Sequence, residues 1–90
     1  MADNVFIALQ NNSEAQPIIE AIVEDNVGAV VSENPGMVKI DVPGRLVIKR
    51  ESVERKLGRD FDLQELHINL ISLSGNLDED DDEFVLSWGA

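Results

Sequence analysis

The side chains able to do chemistry are few in this chain, and the most concentrated are carboxylates. Asp78-Glu79-Asp80-Asp81-Asp82-Glu83 is an unbroken acidic run. Asp78, Asp80 and Asp82 have the alternate spacing of a calcium loop. The sixth position of such a loop needs glycine for its sharp turn and here is Glu83; the twelfth needs a bidentate glutamate and here is Gly89. Six neighbouring carboxylates without a cation repel one another. The run therefore reads as a solvated, mobile loop over Gly75–Glu83, with docking to a basic partner as its functional alternative. The single histidine, His67, opens a strand-like stretch with no nucleophile at a recognisable spacing, and reads as structural or solvent-exposed. Ser72 and Ser74 lack the glycine-flanked elbow of a nucleophilic serine. With no cysteine, disulfides, thiolate metal sites and iron–sulfur ligation are excluded. The six glycines are scattered punctuation and form no phosphate-binding loop.

A second group is basic. Lys49, Arg50, Arg55, Lys56 and Arg59 fall on or beside one short helical segment, in a chain whose formal net charge is −11. Pairing with Glu51 and Glu54 at helical spacing would make the cluster an ordinary charged face; the competing reading is a partner-binding surface. The net charge argues against nucleic-acid and membrane-surface partners, both of which are anionic, and suits association with a basic protein surface. Met1-Ala2-Asp3-Asn4 lacks the basic start of a secretory signal, and no apolar run approaches the ~20 residues of a membrane span, so a cytoplasmic protein is expected. Catalysis by paired carboxylates would need buried acids with raised pKa, and most acids here fall on polar faces or in loops. The residues point to a cofactor-free binding protein; an interaction module with another partner and a small carboxylate enzyme are the alternatives.

The elements that would carry these groups follow from periodicity. Ninety residues, 43% of them hydrophobic, suffice for one small core. Val5–Leu9 is a continuous apolar run and predicts a buried strand. Ser13 with Gln16, or Pro17 at the first helical position, starts a helix running to about Asn26. Its apolar stripe is Ala15, Ile18, Ile19, Ile22 and Val23. Strands are expected over Ala29–Glu33, Met37–Val42 and Arg45–Lys49, separated by turns at Asn34-Pro35-Gly36 and Pro43-Gly44. Glu51–Leu57 is a short helix closed by Gly58, with Val53 and Leu57 inward and Ser52, Arg55, Lys56 and Arg59 free. Asp60 is expected to cap a further helical piece burying Phe61, Leu63 and Leu66. His67–Leu73 reads as a central strand, and Phe84, Leu86 and Trp88 share one face of a last one. Gly89-Ala90 reads as a frayed end. The result is an α+β single domain over residues 1–90: a mixed, mostly antiparallel sheet with about two to three helices, in the order β-α-β-β-β-α-β-β.

Taken together, Val5-Phe6-Ile7-Ala8-Leu9-Gln10, Pro17-Ile18-Ile19-Glu20-Ala21-Ile22, Arg45-Leu46-Val47-Ile48-Lys49-Arg50-Glu51-Ser52-Val53-Glu54, Leu57-Gly58-Arg59 and Gly75–Asp82 with Phe84-Val85-Leu86-Ser87-Trp88 resemble the regulatory (effector) proteins of bacterial multicomponent phenol hydroxylases. Relatives serve toluene and methane monooxygenases. The resemblance covers nearly the whole chain in unbroken order. It implies a protein with no cofactor that binds a diiron hydroxylase and couples NADH and O2 use to hydroxylation, meeting the flavin and iron–sulfur reductase only indirectly. It also implies a contact segment, Glu51–Arg59, ending in the Gly58-Arg59 pair. The residues expected at the hydroxylase are Glu51, Ser52, Glu54, Arg55, Lys56 and Arg59, with Asn34 in the Asn34-Pro35-Gly36 turn as a further candidate. The long N-terminal tail of the methane relatives has no counterpart here.

Overall fold

Apolar side chains at every position of Val5–Leu9 require a strand covered on both faces, and the computed structural model, which describes residues 4–88, places β1 (Asn4–Gln10) between two neighbours. The chain then runs through α1 (Gln16–Asp25), β2 (Val30–Asn34), β3 (Met37–Pro43), β4 (Arg45–Lys49), α2 (Arg50–Leu57), a 3-10 turn (Leu63–Glu65), α3 (Leu66–Asn69), β5 (Leu70–Ser74), β6 (Asn76–Glu79) and β7 (Glu83–Ser87). Met1–Asp3 and Gly89-Ala90, read above as a start without a signal and as a frayed end, lie outside the described residues. The α+β class holds, and every strand pairing among the described residues is antiparallel. The strands divide into two sheets, ordered β2-β3-β1-β5 and β4-β7-β6.

One hydrophobic cluster joins the sheets. In the first, β1 and β3 pair Val5 with Val42, Ile7 with Ile40 and Leu9 with Val38, so these six side chains share the inner face, and all are buried. In the second, Leu46 lies opposite Leu86 and Ile48 opposite Phe84, again on the inner face and fully buried. Ile18, Ile19 and Ile22 of α1, Val53 of α2, and Phe61, Leu63 and Leu66 of the segment after it belong to the same cluster. The apolar stripe of α1 ends one residue earlier than expected: Ile22 is buried and Val23 is 40% exposed. The helix opens at Gln16, and it is the Asn12 carboxamide oxygen, not Ser13, that accepts from the Ala15 N–H ahead of it (2.9 Å). Asn26 brackets the other end. Buried between α1 and the free edge of β4, it donates to the carbonyls of Ile22 (2.7 Å) and Val47 (2.8 Å) and accepts from the Val47 N–H (2.9 Å). Its carboxamide stands in for a missing strand.

Three expectations along the second half are corrected. His67 is not in a strand: residues 63–69 form the 3-10 turn and α3, and β5 starts only at Leu70, as an edge strand and not a central one. The two-faced apolar pattern has two sources. Ile68 belongs to the helix, and Ile71 is skipped by a bulge where the β1 register shifts between Ala8 and Leu9. The cap of this segment is Asp62, not Asp60. Asp62 accepts from the Gln64 N–H (2.9 Å), and the Glu65 carboxylate accepts from the Asp62 N–H (3.0 Å), a reciprocal capping box. Gly75–Glu83 is not a loop, because Asn76–Glu79 forms β6, paired with β7. The chain passes from the first sheet to the second at Gly75, whose φ is +131° and where a Cβ would lie 3.0 Å from Val5 Cγ1.

A candidate partner-docking surface around helix α2

Helix α2 is held at both ends and along its inner face. Its first N–H, at Arg50, donates to the Asp82 carbonyl (2.9 Å). At the other end Gly58 adopts the left-handed conformation (φ 75°) and its N–H closes on the Glu54 carbonyl (2.8 Å). Val53 is fully buried and Leu57 packs on the core, as their four-residue spacing requires.

The expected contact residues divide by what the fold does with them. Glu51 and Arg55 stand on the exposed side. Ser52 does not: it is 5% exposed, and its hydroxyl oxygen accepts from Arg55 Nη2 (3.2 Å). Lys56 is not free either. Its ammonium meets the Glu24 carboxylate of α1 at 2.6 Å. That contact holds the Glu24 carboxyl below its ordinary pKa, by hydrogen bonding first and charge second, and raises that of Lys56 for the same reasons. Glu54 turns toward the following segment and accepts from the Phe61 N–H (2.8 Å). Arg59 donates to the Asp60 carbonyl (2.8 Å) and lies 3.6 Å from Glu65. Asn34 sits elsewhere, at the end of edge strand β2, where its carbonyl accepts from the Asn11 side chain (2.9 Å). Helix α2 packs instead on α1 and β4, so Asn34 is not gathered with the other six.

The acidic run, read from its charge as a solvated loop, has defined structural partners. Asp80 folds the β6–β7 turn: one carboxylate oxygen accepts from the N–H groups of Asp82 and Glu83, both at 2.8 Å, which holds its pKa below the ordinary value. Asp82 then receives Arg50 Nη2 at 2.9 Å, beside the backbone bond that starts α2. In β6, Glu79 takes His67 Nε2 (2.7 Å) and the Gln64 amide (3.0 Å). The acidic run is thus a folded hairpin engaged by Arg50, His67 and backbone donors. Asx turns and the Asp62-x-x-Glu65 spacing were legible in sequence; the Arg50–Asp82 meeting, across 32 residues, was not.

Behind α2 lies a groove of about 350 Å³, walled by Ile18, Leu57, Phe61 and Ile68 and rimmed by Glu14, Arg59 and Glu65. Among the described residues no group of three or more His, Asp or Glu is placed to hold a metal ion, and no helix is long and apolar enough to cross a membrane.

A family model described as MmoB/DmpM matches residues 3–87. The chain belongs to the MmoB/DmpM family. It is 49% identical over 88 residues to the phenol 2-monooxygenase stimulatory component DmpM of Pseudomonas sp. (strain CF600), covering 98% of each chain. Its fold superimposes with a TM-score of 0.93 on a chain from a phenol hydroxylase–regulatory protein complex, at 49% identity over 97% of this chain and all of that one. The soluble methane monooxygenase regulatory protein B shares the fold at a TM-score of 0.75 with 20% identity, over 99% of this chain and 67% of that one.

Proposed function

We propose that this protein is the regulatory (effector) component of a multicomponent phenol hydroxylase, a non-catalytic subunit that works by binding the diiron hydroxylase. The observation that carries this reading is the near end-to-end similarity to a stimulatory component, at 49% identity. The match to a chain solved with phenol hydroxylase names the partner. On this reading the 90 residues act as one cytoplasmic regulatory domain with no cofactor of its own. Docking couples NADH and O2 consumption to hydroxylation, and the reductase is met only indirectly. The contact surface is the outer side of α2 and its exit: Glu51, Arg55 and Arg59, with Lys56 and Glu54 at its borders. Ser52 works from beneath by steadying Arg55. Asn34 would be a separate contact.

The test is steady-state phenol oxidation with hydroxylase and reductase fixed and the effector titrated. Product per NADH should rise to saturation. Arg55→Ala should raise the half-saturating concentration by about tenfold, the equivalent of ~1.4 kcal/mol. Its melting temperature should stay unchanged, since Arg55 is exposed and makes one long hydrogen bond. A titration that leaves turnover and coupling flat would sink the proposal.

A further inference from the structure

The groove behind α2 has a feature that the core does not need. Ile68 forms part of its wall while remaining 69% exposed, on a one-turn helix whose neighbours Leu66 and Asn69 are buried. Isolated apolar residues on a surface require no explanation. Here, however, the exposed isoleucine faces a floor already made of Ile18 and Phe61, 3% and 4% exposed, with Leu57 beside them. The walls are braced: Asn12 donates to the Asn69 side chain (3.0 Å), tying α3 to the entry of α1, and the capping box of Asp62 and Glu65 fixes the turn before it. The groove is preformed, so filling it carries little ordering cost.

Resting on the effector reading above, we infer that this groove is the anchor point for the hydroxylase, accepting an aliphatic or aromatic side chain flanked by a lysine or arginine. Charge selects this occupant. Of the three charged rim residues, Arg59 is already engaged by Glu65, whereas Glu14 makes no ion pair among the described residues. The rim therefore carries unmatched negative charge, within a chain of net charge −11. A second copy of this chain would bring the same acidic rim and the same net charge, and is disfavoured. A partner residue that buries Ile68 and meets Glu14 satisfies both features at once. The groove also adjoins Leu57 and Arg59, so it is continuous with the α2 surface proposed for docking.

The experiment is equilibrium binding of the effector to the cognate phenol hydroxylase by calorimetry, with three variants. Ile68→Ser should weaken binding about tenfold while the melting temperature holds, because the side chain is mostly exposed. Glu14→Lys should weaken it about threefold, with the loss shrinking as salt rises from about 0.05 M to about 0.5 M. Val27→Ser removes a 98% exposed apolar residue outside the groove, and should bind like the unmodified protein. If the unmodified protein itself fails to bind, the effector reading falls and this inference with it. If it binds, and Ile68→Ser and Glu14→Lys bind equally well, the effector reading stands and the groove is not the anchor. Sedimentation showing a homodimer that Ile68→Ser dissociates, with hydroxylase affinity unchanged, would assign the groove to a second copy and overturn the inference.

Discussion

Asp80 illustrates how one carboxylate in an acidic run acquires a structural role. The N–H groups of Asp82 and Glu83, which donate to it, favour its charged form more than partial loss of hydration disfavours it, and its pKa is lowered accordingly. The sign of the pH effect follows. A carboxyl with a folded pKa below its unfolded value contributes stability above the unfolded pKa, and loses it as pH falls through the folded one. Melting curves from pH 7 to pH 3 should therefore show the protein losing its advantage over Asp80→Asn at the acid end, since asparagine keeps an acceptor but does not titrate; a constant gap would deny the linkage. Asp81 is exposed and makes no hydrogen bond to a side chain among the described residues, so Asp81→Asn should leave the melting temperature equal or slightly higher. Asp82→Asn should cost a few tenths of a kcal/mol through Arg50, the scale of an exposed ion pair.

Elements are joined here by side chains as much as by packing. The clearest case is Asn26, which ends α1 and satisfies both backbone groups of Val47 on the free edge of β4. Alanine at this position would leave a partly buried donor and acceptor of Val47 unmatched, at about 1–3 kcal/mol each. Asn26→Ala should cost about 3 kcal/mol, lowering the melting temperature by more than about 10 °C in a domain of this size. Asn26→Asp should do comparable harm, because a carboxylate cannot donate to Ile22 and Val47. Thermal unfolding of both variants checks this; a loss below about 1 kcal/mol in each would show that water replaces the bracket. Helix α2 carries the same logic: its start is set by Asp82, whose turn is folded by Asp80, so the acidic hairpin positions the helix that bears the proposed contacts.

For the molecule as a whole, the critical point is where the chain leaves one sheet for the other. Gly75 does this at φ +131°, a conformation open to glycine, with Val5 of the first sheet and Leu86 of the second within 3.5 Å of the missing Cβ. Gly75→Ala combines backbone strain with overpacking, each of the order of 1–3 kcal/mol. A loss of about 2–4 kcal/mol in urea unfolding is expected, without change in the slope, because the folded sheets remain the same. An alanine variant as stable as the parent would mean that the two sheets move apart freely at this point.

What the sequence determined by itself is what depends on near neighbours. Alternation in Met37–Val42 and Arg45–Lys49, the apolar run of β1, the four-residue spacing of Val53 and Leu57 and the glycine after Leu57 each encode a local element, and all appear in the fold. The family was legible for a related reason: order and composition over the whole chain survive in the sequence even though no single segment is a chemical motif. Tertiary structure alone decided the rest. Two sheets rather than one, the edge position of β5, the bulge at Ile71 and the pairing of β6 all depend on which strand lies alongside, and an edge strand with no buried residue, its one apolar side chain Leu77 lying exposed, shows no alternation to read. The contact residues divided for the same reason. Helical spacing told which way Val53 points, but not that Ser52 would be buried, that Glu24 would claim Lys56, or that Arg50 would find Asp82, since hydrogen bonds and ion pairs across distant segments exist only once the core has brought those segments together.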